Sequence, residues 1–240
     1  MASRLRSSFL AGLSTAIGGG SLLLLMLFLY RGPLTTVRLG WNDASALCLN
    51  AALCVTFFLQ HSVMVRKPIR ERVERFLHAG EYPAVYSIFS GLCLLLLLAF
   101  WQRTAPSLFE AEGWLRGLMR SAFFVSLVGF AWSAAAVGPI DTFGARSALR
   151  PPREAHPVRA ELAVRGPYRW VRHPMYFLTL VLIWSYPDVT ADRLLFNGLF
   201  TVWIVVASVL EERDLVTQFG QPYRDYQATV PMLLPYRLPQ

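Results

Sequence analysis

Two pairs of polar residues in the second half of the chain have the types and spacing needed to bind a zwitterion. Arg172 and His173 directly precede Pro174, and Glu211 and Glu212 directly follow a long apolar run. Proline fits the first turn of a helix, so a helix is predicted to begin at Pro174. The extended segment before it has exposed backbone amides, which together with the guanidinium favour a carboxylate. The two acids favour an ammonium group or ribose hydroxyls.

A histidine in the first half of the chain is a further candidate for chemistry. His61, preceded by Gln60, lies at the end of the second apolar run, where an ionisable side chain is a candidate functional group. Two structural interpretations stay open: a solvated interfacial histidine, and a glutamine that donates a hydrogen bond to another helix. The histidines are scattered and the cysteines lie in apolar stretches, so neither a metal site nor a disulfide framework is predicted.

The composition is that of an integral membrane protein. Of the 240 residues, 55% are hydrophobic and only 16% are charged, which is too apolar for a soluble domain of this size. The formal net charge is +8. In an apolar chain such a charge indicates cytoplasmic loops and contact with anionic lipid headgroups, and no nucleic-acid partner is predicted.

Six apolar stretches are predicted to form membrane helices. They cover residues 9–30, 44–64, 82–101, 118–137, 175–186 and 194–210. The first four have about the 20 residues that a helix needs to cross the hydrocarbon core, whereas the fifth has only about a dozen. The last two are therefore predicted to form a helical hairpin. The predicted fold is all-α, a polytopic helical bundle in which residues 1–240 form one membrane domain.

The basic residues predict the orientation of the bundle. Of the 23 Lys and Arg residues, 17 lie in the two termini and in segments 65–80 and 138–173, which alternate with the remaining segments. This bias places both termini in the cytoplasm, and in a bacterium the membrane is the inner one. His61, Arg172 and Glu212 then all face the cytoplasm. Residues 66–77 alternate basic and apolar positions and predict an interfacial amphipathic helix.

Several motifs in the last 75 residues or so occur together in order. They are Gly-Pro-Tyr-x-x-Val-Arg-His-Pro-x-Tyr at 166–176, Glu-Glu-x-x-Leu at 211–215, Phe-Gly at 219–220, Tyr-x-x-Tyr at 223–226 and Val-Pro-x-x-x-Pro at 230–235. This set resembles the integral-membrane methyltransferases of the isoprenylcysteine carboxyl methyltransferase and phospholipid methyltransferase superfamily. The resemblance implies S-adenosylmethionine as cofactor. It implies a binding site made of Tyr168, Arg172, His173, Pro174, Tyr176, Glu211, Glu212 and Tyr223.

The first half of the chain is similar to one branch of that superfamily. Leu-Gln-His-Ser at 59–62, Tyr86 and Asp-x-Phe-Gly at 141–144 resemble NnrU-like proteins and the bacterial thiol methyltransferases that act on methanethiol. The branch commonly has glycine where this chain has Leu178. The resemblance implies that residues 1–137 form the substrate side and residues 138–240 the cofactor-binding loop, hairpin and tail.

The predicted reaction is methyl transfer to a small, lipid-soluble thiol, giving dimethyl sulfide from methanethiol. His61, Arg172 and His173 are the predicted catalytic residues, and a histidine is expected to take the thiol proton. Three alternatives stay open. The acceptor is an isoprenylated cysteine carboxylate or a lipid amine; the protein is an NADPH-dependent reductase of the sterol type; or it is a non-catalytic NnrU-like membrane protein.

Overall fold

The protein is almost entirely helical in the part of the chain that the computed structural model describes, residues 2–105, 107–150, 162 and 164–237. Its helices are α1 (Ala2–Arg31), α2 (Asp43–Val65), α3 (Lys67–Glu74), α4 (Tyr82–Phe100), α5 (Gly113–Val137), α6 (Ala145–Leu149), α7 (Pro174–Trp184), α8 (Ala191–Phe219) and α9 (Gln221–Thr229). A 3₁₀ turn covers Gly166–Arg169. Much of the predicted cofactor-binding loop, residues 151–161 and 163, lies outside the described residues.

Five of the described helices are long and apolar enough to cross a membrane. These helices are α1, α2, α4, α5 and α8, and they match five of the six predicted spans, so the predicted helical membrane fold is confirmed. Helix α7 has 11 residues, or roughly 16 Å at 1.5 Å per residue, about half of the hydrocarbon core. The number of crossings and the cytoplasmic position of the termini stay predictions.

Helix α8 extends farther than the hydrophobic pattern predicts. The apolar run ends at Leu210, but the helix has 29 residues and ends at Phe219. Its length of roughly 43 Å exceeds the core thickness of about 30 Å. Glu211 and Glu212, which directly follow the apolar run, are therefore not at the end of the helix. They lie about two turns before its end, where helical geometry holds their directions apart.

The structure also contains a small antiparallel sheet. This sheet departs from the predicted all-α fold. Strand β1 (Ser107–Glu110) pairs with β2 (Asp188–Thr190). Pro187 cannot continue α7, so the link to α8 is extended and offers backbone groups for pairing. An ion pair between Arg116 and Asp188 holds the same corner.

The described residues fall into two compact units. One contains residues 2–105 and 141–150, and the other contains residues 107–140, 162 and 164–237. Helix α5 thus belongs with α7, α8 and α9, while α6 belongs with α1 to α4. The predicted division of roles between residues 1–137 and 138–240 stays a prediction.

The first unit is organised by close contacts of small residues. A Cβ at Gly91 of α4 would lie 2.8 Å from the Ile17 side chain of α1, so only glycine permits this helix approach. Asp141 accepts hydrogen bonds from the backbone nitrogens of Arg146 at 3.2 Å and Ser147 at 2.7 Å. These bonds cap α6, which packs on α1 and α4. The predicted amphipathic helix forms as α3.

The second unit packs α7 between α5 and α8. A Cβ at Gly129 of α5 would lie 2.6 Å from the Leu178 side chain of α7. Gly166 has φ +57°, and a Cβ there would lie 3.3 Å from Trp132, so glycine permits both the turn and the contact. This packing seats the 3₁₀ turn on α5 and presents the segment before α7 to α8 and α9.

Candidate active site

Helix α7 begins at Pro174, as predicted, and His173 is its N-cap residue. The backbone amides before it are not exposed, however. The Arg172 nitrogen donates to the Pro231 carbonyl at 2.9 Å, and the His173 nitrogen donates to the Met232 carbonyl at 3.1 Å. The prediction that these amides are exposed is therefore wrong, because the tail after α9 supplies their acceptors.

Glu212 joins this segment to the last two helices. Its carboxylate accepts two bonds from Arg172, from Nε to Oε1 and from Nη2 to Oε2, each 2.9 Å long. His173 Nε2 lies 2.8 Å from Oε1, and the Tyr223 hydroxyl donates to Oε1 at 2.8 Å. Gln227 Nε2 donates to Oε2 at 2.5 Å. The carboxylate is thus saturated with partners from α7's lead-in and α9.

Arg172 is committed in the same way. Besides its two bonds to Glu212, its Nη1 donates to the Gln227 carbonyl at 3.1 Å and to the Val230 carbonyl. A guanidinium has five N–H groups, and at least four of these are directed to protein acceptors. Arg172 therefore holds α8, α9 and the tail together, with little donor capacity left for a ligand.

Glu211 is placed differently from its neighbour. Its side chain is 45% exposed, and Oε2 lies 3.8 Å from His173 Nδ1. Adjacent helical residues point about 100° apart, so one acid is buried in the cluster while the other faces open space. The two adjacent acids thus have separate environments.

A cavity of about 410 Å³ lies beside this cluster. Seven of the eight predicted cofactor-binding residues line it, all except Glu212: they are Tyr168, Arg172, His173, Pro174, Tyr176, Glu211 and Tyr223. Glu212 instead lines a second cavity, of about 420 Å³, together with Arg213 and Gln227. Glu212 thus lines a different cavity from Arg172, His173 and Tyr223, to which its carboxylate is hydrogen-bonded.

Aromatic side chains form much of the wall. The rings of His173 and Tyr176 are stacked with centroids 5.5 Å apart, and Tyr223 and Tyr226 meet edge to face at 5.7 Å. The Tyr226 hydroxyl donates to the Tyr168 carbonyl at 2.5 Å. Gly220, with φ +64°, ends α8 and lets α9 restart at once, so both tyrosines fold back onto the cavity.

For three tyrosines of the cavity, burial raises the pKa and so favours the protonated hydroxyl. Burial and then the hydrogen bond to Glu212 raise the pKa of Tyr223 above its ordinary value. Burial also raises the pKa of Tyr226. Burial and the negative charge of Glu211 raise the pKa of Tyr168, consistent with both side chains lining one space.

Gln227 is a contributor that the sequence analysis missed. Tyr223, Tyr226 and Gln227 are three and four residues apart on α9, the spacing of one helix face. That spacing was the available signal. Leu215 and Phe219, a turn apart on α8, also line the cavity and were not predicted.

His61 lies on α2 in the first unit and is described there by itself. The Tyr86 hydroxyl of α4 is 2.9 Å from its Nδ1 and 3.0 Å from its Nε2, and the Phe57 ring stacks on it at 5.3 Å. Gln60 Nε2 donates to Ser90 Oγ of α4 at 3.3 Å, which confirms the interpretation of Gln60 as an interhelical donor. A catalytic role of His61 stays a prediction.

The sequence profile of the NnrU family, described as NnrU protein, matches residues 49–234. The chain belongs to the NnrU family. This match covers α3 to α9 and almost all of the cavity, so the family assignment includes the cluster around Glu212. The predicted resemblance to this branch is confirmed.

The named relatives of the chain include thiol methyltransferases. The chain is 33% identical over 195 residues to methanethiol S-methyltransferase of Pseudomonas deceptionensis, covering 79% of this chain and 73% of that protein. It is 33% identical over 196 residues to methanethiol S-methyltransferase of Mycobacterium tuberculosis, covering 80% and 79%. Nurim of Rattus norvegicus is 24% identical over 194 residues, with 74% of each chain covered. No solved structure matches the chain.

Proposed function

We propose that this NnrU-family membrane protein is an enzyme that transfers a methyl group from S-adenosylmethionine to a small thiol, with methanethiol as the acceptor and dimethyl sulfide as the product. One observation carries the proposal. An aromatic cavity holds the partly exposed carboxylate of Glu211 beside a saturated Arg172–Glu212 pair, in a chain whose relatives are named for thiol methylation.

The cavity fits the donor in size and chemistry. Its volume of about 410 Å³ lies within the range of about 300–1,000 Å³ that is typical of small-molecule sites. Glu211 offers a carboxylate for the ammonium group or the ribose hydroxyls. Tyr168 and Tyr176 offer aromatic faces for the adenine ring and for the sulfonium cation. Arg172 and Glu212 act as positioning residues that hold these walls in place.

When bound, S-adenosylmethionine supplies a methyl group on a positively charged sulfur, so that a thiolate forms a C–S bond as the C–S bond of the sulfonium breaks. The protein's own contribution is orientation and exclusion of water. The buried rings of Tyr223 and Tyr226, 1% and 7% exposed, close one side of the cavity. A dry, fixed site is sufficient for a large part of the rate enhancement, because the donor is intrinsically reactive.

The thiol proton is assigned to a histidine. The carboxylate of Glu212 only accepts hydrogen bonds, so His173 Nε2 carries the proton that it shares with Oε1. In the neutral ring, Nδ1 then has the free lone pair, and this atom faces the side of Glu211. The proposal therefore names His173 Nδ1 as a proton acceptor, with His61 as the second candidate.

The proposal places the site on the cytoplasmic face of a bacterial inner membrane. The distribution of basic residues supports that side, because residues 138–173 carry seven arginines and the residues after Leu210 carry three. A volatile thiol and its thioether both dissolve in lipid, which gives a physical reason for an enzyme of this kind to lie in the membrane.

The test is calorimetric binding of S-adenosylmethionine and of NADPH to the detergent-purified protein, followed by headspace analysis for dimethyl sulfide after addition of methanethiol. Donor binding with thioether formation is the expected result. Donor binding without thioether overturns the thiol acceptor and points to a prenylated carboxylate or a lipid amine. Binding of NADPH alone points to a reductase, and binding of neither ligand overturns the methyltransferase proposal.

A further inference from the structure

A third cavity lies in the same unit. It shares only one lining residue with the charged cavity, the one lined by Glu211. This cavity, of about 370 Å³, lies between α5 and α7 and is lined by residues that include Val125, Gly129, Trp132, Phe177 and Leu178. No ionisable side chain belongs to its described lining. The two cavities share Pro174, the first residue of α7. An uncharged space thus adjoins the charged one at Pro174.

We propose that this apolar cavity binds the alkyl chain of the thiol acceptor, and that Leu178 together with Gly129 limits the length of that chain. The inference rests on the proposed function and names its substrate class: uncharged thiols with an alkyl chain longer than methyl, in addition to methanethiol.

The uncharged lining of this cavity favours an apolar ligand. Burying a charged or strongly polar acceptor against these side chains leaves it without partners, which is costly, whereas an alkyl chain gains from the transfer. Val128, on the membrane-spanning helix α5, lines the same space and is 70% exposed. A lipid-soluble thiol therefore reaches the cavity from the bilayer without crossing the charged site.

The volume argues for a chain longer than methyl. The space a water molecule takes up in liquid is about 30 Å³, so 370 Å³ holds roughly ten non-hydrogen atoms. Methanethiol has two. Each further methylene that enters is worth about 0.8 kcal/mol, or about fourfold in kcat/KM, until the chain meets the end of the cavity.

The contact between Gly129 and Leu178 is where that end can be moved. A Cβ at Gly129 would lie 2.6 Å and 3.0 Å from the two terminal methyl carbons of Leu178. Alanine at position 129 therefore displaces the leucine side chain, whereas alanine at position 178 removes it. A Cβ at Gly117, on the same helix, would have nothing within 4 Å, so this position provides the matched glycine control. Leu96 of α4, 54% exposed, provides the leucine control.

The experiment measures kcat/KM for methanethiol, ethanethiol, 1-butanethiol and 1-hexanethiol with S-adenosylmethionine, by quantifying each methyl thioether. We expect kcat/KM of the unsubstituted protein to rise about fourfold per methylene and then to level off. We expect Leu178→Ala to move that plateau to longer thiols. We expect Gly129→Ala to change kcat/KM for the longer thiols by at least fourfold. Gly117→Ala and Leu96→Ala are expected to leave the profile unchanged.

A binding measurement separates this inference from the proposed function. Butyl methyl sulfide, an unreactive product, is titrated into the protein while tryptophan fluorescence is followed. Trp132 and Trp170 both line the cavity, and Trp132→Phe is the reference.

If methanethiol is turned over but kcat/KM does not depend on chain length and the substitutions at 129 and 178 have no effect, the inference is overturned and the function stays intact. Sulfide binding that Gly129→Ala weakens, without turnover of any thiol, overturns the function and supports the cavity assignment. Absence of both turnover and sulfide binding overturns the inference.

Discussion

Arg172 and Glu212 form a buried, bidentate ion pair across 40 residues of sequence. Two bonds of 2.9 Å join the guanidinium to the carboxylate, and each side chain is only 9% exposed. The pair ties the segment before α7 to the last turns of α8. Because Arg172 also donates to the Gln227 and Val230 carbonyls, the same pair holds α9 and the tail.

Breaking that pair is expected to unfold the part of the protein that surrounds the proposed S-adenosylmethionine site. Glu212→Gln leaves the buried guanidinium without its charge partner, and loss of one member of a buried pair typically costs about 3–5 kcal/mol. We expect a lower unfolding temperature in detergent and loss of S-adenosylmethionine binding by calorimetry. Arg172→Lys is expected to behave similarly, since an ammonium cannot make the bidentate contact. An unchanged unfolding temperature in both variants contradicts the role assigned to the pair.

Glu211→Gln is expected to separate binding from stability. The side chain is partly exposed and lines the cavity, so its loss removes a charge-assisted bond to the ligand, at least about tenfold in affinity. Its unfolding temperature should match that of the unsubstituted protein. If Glu211→Gln binds S-adenosylmethionine normally while remaining folded, the contact assigned to this carboxylate is wrong.

Tyr223 makes stability depend on alkaline pH. The ordinary pKa of tyrosine is 10.0, and burial together with the bond to Glu212 raises the pKa of Tyr223 above it. The folded state therefore favours the protonated form, so the stabilisation is complete below pH 10 and decreases as the pH rises above 10 toward the folded pKa. Unfolding temperatures measured from pH 8 to 11 should fall less steeply for Tyr223→Phe.

The Tyr223→Phe variant should also be less stable at pH 8, by about 1.5–3 kcal/mol, because it lacks a hydrogen bond to a charged acceptor. Tyr236→Phe is the control, since Tyr236 is 71% exposed. Identical pH profiles for Tyr223→Phe and Tyr236→Phe would contradict the assignment.

Gly220 is expected to be required for the position of α9. Its φ of +64° strains any residue with a Cβ, so Gly220→Ala should cost at least about 1 kcal/mol and weaken donor binding through displacement of Tyr223. Gly198→Ala, on the same α8 and with nothing within 4 Å of a built Cβ, is the matched control. Unfolding temperature and donor affinity are the measurements, and equal values for the two variants speak against this turn as the determinant.

His61 is expected to affect turnover without affecting donor binding. If it accepts the thiol proton, His61→Ala should lower kcat about 10²–10⁴-fold and keep the donor affinity of the unsubstituted protein. Tyr86→Phe, which removes the hydroxyl shared with the imidazole, should shift the pH profile of kcat. Full turnover in His61→Ala assigns the proton to another group.

Much of this arrangement follows from the sequence alone. Runs of about 20 apolar residues force a helix in lipid, because only a helix satisfies its own backbone there, and five predicted spans are present. Pro174 and Gly220 mark a helix start and a helix end through their own backbone preferences. The motif residues lie in two short stretches of the sequence, 168–176 and 211–223, and seven of them line one cavity.

Only the tertiary structure decides which partner each polar group has. The sequence leaves the amides before Pro174 exposed, but the tail after α9 pairs with them. A helix directs Glu211 and Glu212 apart, but only the packing decides which acid is buried against Arg172 and which is turned to the cavity. Likewise β1 and β2 are distant strands that pair only once α5 and α7, which lie between them in the chain, pack against each other. Backbone propensity is local, but a hydrogen bond across 40 residues depends on packing that no spacing encodes.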